Sequence, residues 1–257
     1  MAGVQNTVEA CLAEASNPGT EPNRLQQLAR DEHWIIQEAV ASNPSAPSNT
    51  LVQLGRSTRV KVREAVASNE AAPNSVLHWL SRDVKNSIRE RVAMHPLCPP
   101  DVLASLAKDS HAKVRGLVAS HPNTDEEVMG YLEADALWSV RQALIDNPNL
   151  PVLTCLRLAM EDPDPLIGDY ALKRVMQRSI IEWTLDVKDR GLTLSMTFNE
   201  HSLKSLADVL IEHDMLTIYR QIQSIESQWR IECQAASMTE IVSEIAPVTS
   251  RVSKMRL

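Results

Sequence analysis

The chain has 257 residues, 44% hydrophobic and 23% charged, which fits a folded globular protein and excludes an intrinsically disordered one. Aromatics make up 4%, with one phenylalanine, so any core must be built from Ala, Leu, Val and Ile. The net charge of −7 is no general signature of nucleic-acid binding, and no stretch approaches the ~18 apolar residues that would cross a bilayer.

Residues 1–14 carry Val4, Val8, Cys11 and Leu12 and read as an N-terminal cap helix. There is no basic start followed by an apolar run, so no signal peptide is read. A cytoplasmic location with no membrane partner is expected. The four cysteines, Cys11, Cys98, Cys155 and Cys233, lie far apart and lack metal-type spacing. They are expected to be isolated buried thiols, and no cofactor is expected.

From residue 15 the chain repeats itself. Ala15, Ala41, Ala67, Ala93, Ala119 and Ile145 open six copies of one 26-residue pattern. Two residues on comes Asn17, Asn43, Asn69, His95, His121 or Asn147, with proline next in all copies except the one holding Glu70. Leu25/Leu28, Leu51/Leu54, Leu77/Leu80 and Leu103/Leu106 then recur as pairs three apart, one face of a short helix. Small residues (Ala29, Gly55, Ala107) follow and allow close approach of the next layer. Asp31, Asp83, Asp109 and Asp135 are read as caps of a second helix, because a carboxylate accepts free N–H groups at a helix start. That helix buries Val62 and Val66, or their equivalents, and stops at the Asn-Pro step, where proline has no N–H to offer. One such unit cannot bury its own apolar face, so self-similarity at this period means stacked copies, a mainly α solenoid. The solenoid is expected over residues 15–170, with a degenerate last copy at Asp162, Pro163, Asp164 and Pro165.

Motifs such as ASNPSAPSNTLVQLGRSTRVKVREAV and AMHPLCPPDVLASLAKDSHAKVRGLV resemble the leucine-rich repeat variant family, over about 150 residues of the chain. The resemblance implies a right-handed superhelix in which α-helices alternate with short 3₁₀ helices. Some members hold an iron–sulfur centre on an N-terminal cysteine cluster. Here only Cys11 lies in that region, so the cluster is not carried over. The pattern is also similar in style to HEAT-type repeats, which serve mostly as interaction scaffolds.

Late in the second helix, Gln37, Arg63, Arg89, Arg115 and Arg141 share one position and should form a ladder. Each ladder arginine can fork onto the recurring Asp of its own or an adjacent copy. Residues 53–115 carry a net charge of +5, against −4 for residues 1–52 and −8 for residues 116–170. A basic middle between acidic flanks fits an acidic partner or a phosphate backbone. The candidate partner-binding residues are Arg59, Lys61, Arg63, Lys85, Arg89, Arg91, Lys113 and Arg115, of which the non-ladder members are the better candidates. His95 and His121 occupy the Asn position of successive copies and lack a third ligand at metal-type spacing. Trp34, Trp79 and Trp138 read as core.

The pattern fails near residue 171, and a small α+β module is expected over residues 171–247. Ile181, Trp183, Leu185 and Val187 alternate with polar residues. A Gly191 turn follows, then Leu192, Leu194, Met196 and Phe198, so residues 181–198 read as a β-hairpin. Helices are expected at 200–212 and 214–235, the second packing Met215, Ile218, Ile222, Ile225 and Trp229 against Leu203, Leu206 and Leu210. Residues 248–257 read as a flexible tail. The hairpin edge offers a route to a homo-oligomer.

No nucleophile, metal-binding or phosphate-cradling motif is found, and no enzyme is read. The expected function is a protein-interaction scaffold holding an acidic or extended protein partner. One alternative is nucleic-acid binding through residues 53–115, in the manner of alkylpurine DNA glycosylases built on HEAT-like repeats. A second is a metal or iron–sulfur redox protein.

Overall fold

The computed structural model describes residues 8–198 and 204–253, with side chains as far as residue 237. The chain divides into two compact units, Met1–Leu150 and Pro151–Leu257, so the first unit ends inside the sixth copy.

In the first unit, α1 (Val8–Ser16) precedes five helix pairs. These are α2 (Pro22–Leu28) with α3 (Trp34–Ser42), α4 (Ser48–Leu54) with α5 (Val60–Ser68), α6 (Asn74–Leu80) with α7 (Asn86–Ala93), α8 (Pro100–Leu106) with α9 (Ala112–Ser120), and α10 (Glu126–Glu133) with α11 (Trp138–Ile145). The first helix of each pair is short, as expected, but it is α rather than 3₁₀: Ala29, Gly55, Ser81 and Ala107 donate to carbonyls four residues back. Proline at or just before the first helical residue sets the entry, where a missing N–H costs nothing.

Each second helix stacks on the second helix of the next copy, and α1 stacks on α3. The buried set repeats without exception: Ile36, Val40 and Ala41; Val62, Val66 and Ala67; Ile88, Val92 and Ala93; Val114, Val118 and Ala119; Val140, Leu144 and Ile145. Residues four apart lie on one face of a helix, and the small residue beside them lets the stacked backbones approach. The same logic operates at Gly55, where an added Cβ would stand 3.1 Å from Cγ1 of Val76 in the following copy.

Two expectations about this unit need correction. The recurring Asp does not cap the second helix. His33, Arg59, Lys85, His111 and Leu137 occupy the N-cap positions, and none makes a side-chain cap bond. Asp31, Asp83, Asp109 and Asp135 each stand two residues earlier and accept the N–H of that N-cap residue at 2.8–2.9 Å, an Asx turn that folds the connection. Nor do the tryptophans fill the core: Trp34, Trp79 and Trp138 are all exposed, Trp79 at 62%. Trp34 and Trp138 hold the same position four copies apart and stand first in their helices, on the outward side.

At the other end of each second helix lies a buried ladder. The Nδ2 group of Asn43 donates to the carbonyls of Ala15 and Asn17 in the preceding copy, at 2.7 and 2.9 Å. Its Oδ1 accepts the N–H of Ser45. Asn69 and Asn147 do the same one and four copies on. His95 and His121 take over the role with a ring. Nε2 lies 3.0 Å from the carbonyl one copy back, and Nδ1 accepts the N–H two residues on. The tautomer that fits this bonding carries its proton on Nε2.

The second unit holds α12 (Val152–Glu161), α13 (Pro165–Met176), α14 (Ile180–Lys188), α15 (Leu206–Glu212) and α16 (Leu216–Ser253). The first two pack together, and α14 and α15 both pack on α16. The hairpin over 181–198 is not formed; α14 stands in place of its first strand. Ser179 and Glu182 make a reciprocal capping box, which starts a helix. Trp183 and Val187, four apart, are its buried pair, while Ile181 and Leu185 face outward. Leu192, Leu194 and Phe198 are buried as alternation predicts, but in an irregular segment with one isolated bridge, Thr197 to Ser205. The carbonyls of Leu194 and Met196 take the first N–H groups of α15, which explains why the segment is held without a sheet. Ile218, Ile222 and Ile225 are buried along α16, and Leu203 lies outside the described residues. The backbone of α16 continues past Pro247 to Ser253, so the tail expected from 248 has no break before it.

Burial holds the His121 imidazole below its ordinary value of 6.5, outweighing the favourable bond to the His95 carbonyl. A base with a depressed folded pKa contributes stability that is complete above the unfolded value and declines as pH falls through the folded one, because the unfolded chain takes the proton more readily. Thermal unfolding between pH 7.5 and 5 should therefore show a stability loss that His121→Asn reduces, while keeping the ladder at neutral pH. His121→Ala should cost about 1–3 kcal/mol at neutral pH, since the His95 carbonyl and the Asn123 N–H both lose their partner.

Candidate functional site

The turn between the short and the second helix of each copy gathers several of the charged candidates along one edge. The ladder arginines are held inside it. Arg63 forks onto Asp83 of the next copy with Nε–Oδ2 at 2.7 Å and Nη2–Oδ1 at 3.2 Å. Arg89 does so with Asp109 at 2.5 and 2.9 Å, and Arg115 with Asp135 at 2.6 and 3.0 Å. Nη1 of each turns back to the carbonyl six residues earlier, as it also does in Arg141. These three arginine side chains are 14–16% exposed and their Asp partners 6–9%. Burial raises the carboxyl pKa, but the guanidinium fork and the Asx-turn N–H together outweigh it, so Asp83, Asp109 and Asp135 all lie below the usual carboxylate value. The ladder therefore joins copy to copy.

The first interface lacks this rung. Gln37 stands at the arginine position and bonds its own copy through the Asp31 carbonyl. Ser57 stands where the other copies hold Asp, and its hydroxyl accepts the Arg59 N–H at 3.2 Å. Both charges are missing together, so neither is left buried without a partner. A cavity of about 380 Å³ opens beside them, walled by Trp34, Gln37, Arg56, Ser57 and Arg59 among others.

Of the remaining candidates, Lys61 pairs with Glu64 at 2.9 Å and Lys113 with Glu90 at 2.6 Å, both on the second helices. Arg59, Lys85 and Arg91 are exposed. The structure adds a row that the sequence reading passed over: Arg30, Arg56, Arg82 and Lys108, one per copy at the same 26-residue period, each the second residue after its short helix and each exposed. The period itself would have found them. Arg30, Arg56, Arg59, Arg82, Lys85 and Lys108 make no ion pair among the described residues.

Trp79 stands within this edge. With Arg56 it walls a cavity of about 400 Å³, and with Arg82 and the nearly bare Val84 another of about 440 Å³. Two copies on, Lys108 lies 5.7 Å from the centre of the Tyr131 ring, a cation–π contact in the position equivalent to Arg56 and Trp79. This edge thus exposes several cations beside an aromatic face.

No family model matches the sequence, and neither does any curated protein. Among solved structures, the chain is similar to one described as a leucine-rich repeat variant with a novel repetitive structural motif. The TM-score is 0.52 at 23% identity, over 66% of this chain and 68% of that one. The fold is that of a leucine-rich repeat variant. Within this variant fold the cysteines are dispersed: Cys11, Cys98 and Cys155 are buried in separate places and Cys233 is exposed, contrary to the expectation that all four would be buried. Burial pushes the Cys98 thiol up to about 12 and the Cys155 thiol up to about 11, where neither is a nucleophile near neutral pH. Among the described residues no group of three or more His, Cys, Asp or Glu is placed to hold a metal ion.

Installing the missing rung tests the structural role of the ladder. Gln37→Arg and Ser57→Asp should each be neutral or destabilising alone. Combined, they should stabilise by about 1 kcal/mol more than the sum of the singles, read from a double-mutant cycle in urea. Arg89→Lys should destabilise the chain, because an ammonium cannot reproduce the fork.

Proposed function

We propose that this protein is a binding scaffold that holds an acidic protein partner along the turn edge of its variant repeats. One observation carries the reading. The cations that the fold needs are neutralised within it, and a separate set on the same edge is exposed, unpaired and set beside a bare tryptophan. An interface anchor has this character: an aromatic side chain in a shallow depression with arginines around it. Arg59 and Lys85 of the original candidates belong to this surface. Lys61 and Lys113 are engaged with glutamates, and the ladder arginines act beneath it. The repeat architecture supports a scaffold, since its long edge presents side chains in rows.

Binding of polyglutamate to the full chain, followed by calorimetry across a salt series, tests this reading. Affinity should fall steeply with salt. Arg56→Glu combined with Arg82→Glu should abolish it, and Lys61→Glu combined with Lys113→Glu should leave it nearly unchanged. The reverse order of sensitivity would move the binding surface to the second helices. Tight binding of oligothymidylate with none of polyglutamate would replace the protein partner with a nucleic acid, whose bases would stack on Trp79.

A further inference from the structure

We propose that the turn edge recognises an extended peptide in the polyproline II conformation, with a carboxylate at every third residue and an apolar side chain seated beside Trp79. This rests on the scaffold reading and specifies its partner. The argument comes from spacing. Arg30, Arg56, Arg82 and Lys108 stand once per copy, and packed helical layers lie ~8–10 Å apart. A polyproline II helix rises ~3.1 Å per residue with three residues per turn, so every third side chain returns to the same face after ~9 Å. Successive carboxylates at that interval meet successive cations. A β-strand fails this match, because same-face residues recur every ~6.6 Å and residues three apart point to opposite faces.

The surroundings favour the same occupant. The edge consists of helix ends and turns, so no strand edge is offered for backbone pairing, and a polyproline II segment needs none. The second row, Arg59 and Lys85, supplies cations across the turn from the first. Four cations span three intervals, about 25–30 Å, which corresponds to about nine or ten residues of partner. Beyond Lys108 the row ends at Ala134, so a long phosphate backbone would find no further cation of the row there, whereas a short acidic segment ends with it. The cavity of about 440 Å³ at Trp79, Arg82 and Val84 is the place for the partner's apolar residue.

Fluorescence anisotropy with labelled synthetic peptides and the full chain tests the proposal. One peptide of about 12 residues carries glutamate at every third position, with prolines and one leucine between them. A second has the same composition with glutamates at every second position, and a third is an alanine-rich helix with glutamate at every seventh. The first should bind at least about tenfold tighter than either other, and Arg82→Glu should weaken it by about tenfold or more. Trp79→Ala should weaken the first peptide and leave a variant lacking its leucine unaffected. Circular dichroism confirms that both variants, altered at exposed positions, remain folded. Equal binding of the second or third peptide would overturn the polyproline II register and leave the scaffold reading standing. Failure of all three acidic peptides would bring down both.

Discussion

The carbonyls at the end of each second helix point at the next copy, and the amide of Asn43, Asn69 or Asn147, or the ring of His95 or His121, is what they meet. Each of these side chains donates one copy back and accepts from its own turn two residues on. Both bonds form only if the copies keep one offset. Buried polar groups left without partners are costly, so the ladder penalises any slip between layers more sharply than the apolar stack can. Histidine substitutes for asparagine because one ring nitrogen donates while the other accepts; at His121 it also brings a sensitivity to acid that asparagine lacks.

The opposite edge is joined by a second ladder of different chemistry. A guanidinium fork reaches the next copy's Asp while its remaining nitrogen returns to its own, so each rung ties three points together. Because these charges are satisfied, they offer little to a partner. The exposed rows beside them differ in that they have no internal acid. The fold thus separates cations that hold copies together from cations that face solvent, within a few residues of each other along the chain. At the first interface both members of the rung are replaced at once, by Gln37 and Ser57. The matching loss supports pairing as the reason the two positions are charged elsewhere.

How far the sequence could be read depends on repetition. Six aligned copies averaged out local ambiguity: Leu51, Leu77 and Leu103 could each be placed inside because all three agreed, and the arginine and aspartate rows announced their own partnership. The second unit has no such redundancy. Ile181, Trp183, Leu185 and Val187 satisfy a strand period and a helix period alike over so short a stretch, and the capping pair Ser179 and Glu182 was the local signal that decided for a helix. Trp79 illustrates another limit. Size and apolarity suggest burial, but its place on the helix turns it outward.

By itself the sequence determined the period, the core positions, the helix ends at Asn-Pro and the presence of an uneven charge along the chain, since each follows from local chemistry repeated at a fixed interval. Tertiary structure alone decided which cations remain available. Arg63 and Arg82 look alike in a charge count. The difference is that stacking brings Asp83 of the next copy onto the first and leaves the second beside Trp79, facing water.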